Sequence, residues 1–136
     1  MARQITLDDR EKIEIVNSDE EVTGWFWWNP SDLDIVKRCE KVMDFFEHMQ
    51  VPQKDDTTET LFALSDTIKQ QFDYLISPGA SENLFKYANP LSPREDGSLF
   101  AEYVLKQLIS FIESELNIRM KKTTANIEKY TAKYNK

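Results

Sequence analysis

The chain has 136 residues, a length that suits one folded domain, and 40% of its residues are hydrophobic and 30% charged. Its net charge of −7 opposes binding of the whole chain to nucleic acid or to an anionic membrane. No apolar run approaches the ~18–20 residues of a membrane-spanning helix, and the N-terminal residues contain no apolar signal region. These features predict a cytoplasmic protein with no membrane partner.

The charge is unevenly distributed along the chain. Residues 117–136 contain six basic residues and one acid, a net charge of +5, which leaves −12 on residues 1–116. We interpret residues 123–136 as a basic C-terminal tail and residues 1–122 as a single domain. We expect the tail to contact nucleic acid or an anionic membrane, to dock on an acidic protein surface in the same chain or a neighbouring one, or to stay mobile.

The first predicted element is a β-hairpin. Residues 12–16 alternate as a strand does, with Ile13 and Ile15 on one face. A polar turn follows at 17–21, and residues 22–28 form the second strand. Gly24 within that strand indicates a bulge or a close approach of another part of the backbone.

Helical patterns fill the remainder of the chain. Asn29 is predicted to cap a first helix that ends near Val51, with Pro30 at its first turn. Thr57 or Thr58 is predicted to cap a second helix, which is stopped by residues 77–79.

A short helix over 81–88 and a long one from about Ser98 to Lys122 complete the list. The change from strand period to helix period at Asn29 predicts the α+β class. We expect an N-terminal β-hairpin packed on a bundle of three main helices plus one short helix.

Catalytic and metal-binding motifs are missing from the sequence. The three glycines are scattered, so no phosphate-binding loop is formed, and no zinc or calcium spacing occurs. Cys39 and His48 are the single residues of their kinds, and both fall inside the first predicted helix. We therefore expect a protein that is not an enzyme, with no catalytic residue, no metal site and no cofactor.

Four consecutive aromatic residues, Trp25, Phe26, Trp27 and Trp28, are the most informative feature of the chain. Alternation in a strand places Trp25 and Trp27 on one face and Phe26 and Trp28 on the other. In one interpretation Trp25 and Trp27 pack over the helices, while Phe26 and Trp28 are edge residues. In the other, the strand is an interface, because Trp and Phe are enriched at binding hot spots. A mixture of the two, with one face serving each purpose, is a third interpretation.

The tail carries two further candidate interface residues. Tyr130 and Tyr134 are spaced among the lysines of residues 121–136. Spaced aromatics with cations also occur in single-stranded nucleic-acid binders. The acidic body makes a nucleic-acid partner the weaker alternative, and a protein partner is favoured.

Three segments resemble a known group of proteins: 29–33 (Asn-Pro-Ser-Asp-Leu), 89–93 (Asn-Pro-Leu-Ser-Pro) and 129–136 (Lys-Tyr-Thr-Ala-Lys-Tyr-Asn-Lys). With the strand-rich start, the resemblance covers residues 13–136. The chain resembles small phage and prophage proteins of Gram-positive bacteria, of the tail assembly chaperone kind. Such proteins are non-catalytic and coat the tape-measure protein before the tail tube polymerises around it.

The resemblance implies a chaperone-like protein of the bacterial host cytoplasm that binds a helical client such as the tape-measure protein. A doubly aromatic strand with an open edge also predicts a homo-oligomer. Two alternatives remain: a structural phage protein retained in the virion, and a regulator that uses its basic tail on nucleic acid.

Overall fold

The computed structural model describes the backbone of residues 2–134 and the side chains of residues 2–120. Strands β1 (Glu11–Val16) and β2 (Val22–Trp28) come first. They are followed by helices α1 (Ile35–His48), α2 (Thr58–Leu75), α3 (Ala80–Leu84) and α4 (Phe100–Tyr134). The predicted α+β class, a hairpin followed by helices, is confirmed.

The two strands pair antiparallel in a two-stranded sheet, with Ile13 opposite Phe26. The register shifts after Ile15, which pairs with Gly24, because Val16 then pairs with Val22. A β-bulge of this kind leaves one residue, here Thr23, without a partner opposite it. The bulge predicted from Gly24 is therefore confirmed.

Gly24 is also a point of close approach between the hairpin and α3. A Cβ at this position would lie 3.0 Å from the side-chain oxygen of Asn83. Such a distance is shorter than an ordinary van der Waals contact, so a larger residue here would push against α3. The absence of a side chain lets the short helix pack against β2.

The hydrophobic core lies between the hairpin and the helices. Its most completely buried large side chains come from β2, α1 and α2 and are Trp28, Ile35, Val42, Ile68, Phe72 and Leu75. Ala101, Leu108 and Ile112 add the buried side of α4. A two-stranded hairpin is marginal by itself in water, so the contacts of β2 with α2, α3 and α4 stabilise it.

The first helix begins later than predicted. Residues 29–34 form successive turns in which Asp32 accepts a bond from the Asp34 amide at 3.0 Å, and α1 begins only at Ile35. Asn29 is therefore not the helix cap. Asn and Asp side chains that bond to nearby backbone amides stabilise turns in place of helix, which explains the difference.

Two other helix ends can be compared with the prediction. Thr57 caps α2 as expected, because its hydroxyl accepts a bond from the Thr60 amide at 3.1 Å. The long helix α4 does not end near Lys122 but continues to Tyr134. No Gly or Pro follows Gly97, so the sequence contains no residue that would stop this helix.

The loop before α4 is fixed to α2 by a partly buried polar pair. The Asn89 amide donates to the Ser65 hydroxyl at 3.0 Å, and its oxygen accepts from the Leu91 amide at 2.8 Å. Ser65 is fully buried in the middle of α2. This pair satisfies both groups and holds the loop in place.

Candidate protein interface

The two faces of β2 have opposite surroundings. Phe26 and Trp28 are buried, at 5% and 2% exposure, whereas Trp25 and Trp27 are 43% and 42% exposed. The expectation that Trp25 and Trp27 pack over the helices, with Phe26 and Trp28 at the edge, is therefore wrong. Alternation pairs residues on a face, but it does not decide which face meets the core.

The first strand carries the signal that assigns the faces. Ile13, which is half-buried, lies opposite Phe26, while Lys12 and Glu14 lie opposite Trp27 and Trp25. Each exposed tryptophan is thus paired across the strands with a charged residue. Charged residues favour water, so this pairing indicates that the face is the outer one. The pairing register of β1 and β2 therefore decides which face of β2 is the outer one, and the sequence pattern does not determine that register.

Phe26 and Trp28, both candidate interface residues, belong to the core of the described structure. The Trp28 indole N–H donates to the carbonyl of Leu75 at 3.3 Å. Its ring is stacked on Phe111, with centroids 6.0 Å apart. A buried tryptophan with a satisfied N–H is positioned for stability, and neither residue exposes more than 5% of its surface.

We call Trp25, Trp27, Arg10 and Lys12 the outer aromatic face. The two indoles meet edge to face, with centroids 5.8 Å apart and planes at 85°. Lys12 Nζ lies 4.7 Å from the Trp25 ring centroid, and the Arg10 guanidinium lies 5.2 Å from that of Trp27. These contacts favour the observed arrangement of the two rings.

Arg10 is itself held by Asp8. The guanidinium donates to both carboxylate oxygens of Asp8 at 3.0 Å. These bonds lower the pKa of Asp8 to about 2 and raise the pKa of Arg10. The pair therefore stays ionised at neutral pH, although full exposure to water limits its contribution to stability.

Shallow clefts lie on both sides of Trp27. One, of about 310 Å³, extends towards Gly79 and Asn83, and the other, of about 300 Å³, extends towards Tyr74. Between them the Ser77 hydroxyl donates to the Trp27 carbonyl at 2.7 Å and fixes the loop after α2 against the strand. The result is an aromatic ridge flanked by two depressions.

The two tail residues of the prediction fall elsewhere. Tyr130 and Tyr134 belong to the last turns of α4. Their side chains lie outside the described part of the chain, so their role as interface residues stays a prediction.

Sequence reasoning missed a second exposed apolar surface, between α1 and α4. Met43 is 50% exposed there, and the surrounding cleft has a volume of about 550 Å³. Met43 and its neighbours recur at helical spacing in the sequence, a pattern that is typical of a stripe facing the core. The spacing correctly predicts an apolar stripe, but it does not reveal how closely two helices pack.

Chemically reactive side chains are sparse in the described region. Burial raises the pKa of the Cys39 thiol, which makes it a weaker nucleophile. Asp44, Glu47 and His48 bring potential ligand atoms within 4.8 Å of one another, but all three are exposed on α1. The His48 ring bonds to the Asp44 carbonyl at 3.0 Å, and this bond raises its pKa.

Comparisons with known proteins leave the function to be argued from the geometry. No family model matches the chain, and neither the curated proteins nor the solved structures contain a match. Within residues 2–134, no helix is long and apolar enough to cross a membrane.

Proposed function

We propose that this chain is a non-catalytic, chaperone-like protein of phage tail assembly that binds a helical segment of a client through the outer aromatic face. The observation that carries the proposal is the pair Trp25 and Trp27, ordered edge to face and left more than two-fifths exposed on the side of the sheet away from the core. Trp, Tyr and Arg are enriched among the few residues that contribute most of the binding energy at protein interfaces.

The shape of this face favours a helix as the bound element. A ridge at Trp27 with a cleft on each side suits apolar side chains three or four residues apart on one face of a client helix. The tape-measure protein implied by the resemblance is a client of this kind.

The proposal also includes self-association and a site of action in the bacterial host cytoplasm. A homo-oligomer would present at least two outer aromatic faces, and weak contacts repeated along one long client then act as a strong one. No catalytic step is needed for such a role, and none is proposed.

Co-expression with the tape-measure protein of the same genome tests the proposal. We expect the wild-type chain to co-purify with it, and the Trp25→Ala/Trp27→Ala variant to lose at least about 30-fold in affinity, since even one hot-spot tryptophan contributes ~2 kcal/mol or more. Lys86 and Tyr87 form another exposed cation–aromatic pair, 5.4 Å apart. Tyr87→Ala is the matched control and should bind normally.

Equal binding by wild type, the double variant and the control would contradict the proposed site. Mass spectrometry of purified virions separates this role from that of a structural component, because a chaperone leaves the finished particle. A shift of single-stranded DNA by the full chain at physiological salt, without client binding, would instead support the regulator.

A further inference from the structure

The cleft between α1 and α4 has an apolar floor. It is lined by Met43, Phe46, Met49, Leu99, Leu105 and Ile109. Methionine side chains are flexible and polarisable, so a surface containing two of them adapts to apolar groups of different shapes. A cleft of about 550 Å³ between two helices is a suitable receptor for a further helix.

The border of the cleft is acidic. Glu47 on α1 and Glu102 on α4 line it on opposite sides, with Lys106 beside them. Asp44 and His48 place their ligand atoms within 4.8 Å of that of Glu47, so this side of the border holds two carboxylates and one imidazole. The excess negative charge favours an apolar helix that carries basic residues along its flanks.

The chain itself contains a segment of that chemistry. Residues 121–134 form the end of α4, and their sequence has four lysines against one acid, Glu128. Ile127, Tyr130 and Tyr134 follow at spacings of three and four, which gives an apolar stripe on a helix. The apolar stripe of this segment matches the apolar lining of the cleft, and its lysines match the carboxylates at the border of the cleft.

The segment cannot reach the cleft of its own molecule. α4 is one continuous helix, and Ile109, which lines the cleft, precedes Ile127 by eighteen positions. At 1.5 Å per residue these two positions are separated by ~27 Å along the helix axis. The occupant must therefore come from another molecule.

We propose that residues 121–134 of a second copy dock in the α1–α4 cleft, and that two copies exchange these segments about a two-fold axis. Such an exchange closes on itself and gives a dimer. The inference rests on the self-association proposed above and adds the surface and the segment that produce it. The outer aromatic face stays free for the client.

Charge reversal with rescue tests this inference in the full chain. Light scattering and sedimentation should show a dimer at micromolar concentration. Glu47→Lys/Glu102→Lys and Lys129→Glu/Lys133→Glu should each weaken it at least about tenfold, and the four changes together should restore it, because opposite charges face each other again. Glu20→Lys/Asp55→Lys, the same charge change on exposed loops, is the control and should not alter the dimer.

The outcomes separate this inference from the proposed function. A strict monomer at all concentrations would overturn both the docking and the self-association. An oligomer that either reversal leaves unchanged, or that the combined variant fails to restore, would overturn the docking alone. The Glu47→Lys/Glu102→Lys variant could instead lose tape-measure binding while the dimer stays intact. That result would assign the cleft to the client and would also overturn the docking.

Discussion

At the scale of single residues, neighbouring tryptophans in β2 have different tasks. Trp28 is buried and donates its indole N–H to the Leu75 carbonyl, while Trp27, one position earlier, faces water beside Arg10. The side-chain period of a strand produces this contrast in adjacent residues. Their substitutions should therefore affect different properties of the molecule.

Trp28→Phe should lower the free energy of unfolding by about 2 kcal/mol. The change removes ring volume from the core and leaves the Leu75 carbonyl without its donor. Trp25→Phe, the same change at an exposed position, should stay within about 0.5 kcal/mol. Denaturant unfolding at equal protein concentration measures both, and equal losses would contradict the assignment of faces.

His48 offers a second test at this scale, since it is the single histidine of the chain. Its bond to the Asp44 carbonyl and the nearby carboxylate raise its pKa above the ordinary value of 6.5. The protonated ring is therefore the form favoured by the fold, and its contribution is present at low pH and lost as pH rises through the raised pKa. Full exposure keeps the effect on stability small.

Proton NMR of the imidazole should give a pKa above 6.5. In Asp44→Asn the backbone bond remains but the negative charge is gone, so the pKa should fall only part of the way back. A value below 6.5 in the wild type would contradict the geometry at the end of α1.

At the scale of elements, sequence patterns predicted which segments are helix and strand better than where they end. The hairpin, the α2 cap at Thr57 and the bulge at Gly24 followed from local chemistry that involves few residues. The start of α1 did not, because turn formation by Asp32 competes with helix capping by Asn29. Polar residues after Lys122 suggested a tail, yet charge alone does not end a helix.

The candidate site was also only partly predictable, because local patterns do not contain tertiary geometry. Period and composition identified Trp25 to Trp28 as the informative segment, but the division into core and surface depends on the register with β1. The cleft beside Met43 depends on the distance between α1 and α4, which no local pattern contains. Tertiary geometry decides both features.

Packing between the hairpin and α3 gives a prediction at the element scale. Gly24→Ala should destabilise the fold by about 1 kcal/mol, because the new Cβ would lie 3.0 Å from the Asn83 side-chain oxygen. Asn83→Ala should relieve the crowding, so the double variant should be more stable than the sum of the two single changes predicts. Strict additivity in thermal unfolding would count against this contact.

At the scale of the whole molecule, two different surfaces are proposed for two kinds of binding. The outer aromatic face is proposed for the client, and the α1–α4 cleft is proposed for a second copy. Charge is relevant to the proposed self-association, since residues 1–116 carry −12 and residues 117–136 carry +5. Raised salt should therefore weaken self-association more than client binding, which depends mainly on apolar contact.

Arg119 connects α4 to the start of β1 and to Ser31 within one molecule. Its guanidinium donates to Glu11 at the start of β1 and, at 2.8 Å, to the hydroxyl of Ser31. The bond to Glu11 raises the pKa of Arg119. This contact fixes α4 against the hairpin just before the segment proposed to reach the second copy.

Acrylamide quenching of tryptophan fluorescence tests the central claim most directly. In the free protein, the exposed Trp25 and Trp27 should be quenched readily and the buried Trp28 poorly. Saturation with a tape-measure protein that contains no tryptophan should protect Trp25 and Trp27 from quenching. The Trp25→Phe/Trp27→Phe variant retains Trp28 alone, and its quenching should not change when the tape-measure protein is added. If the accessible tryptophans of the saturated complex were quenched as in the free protein, the outer aromatic face would not be the client site.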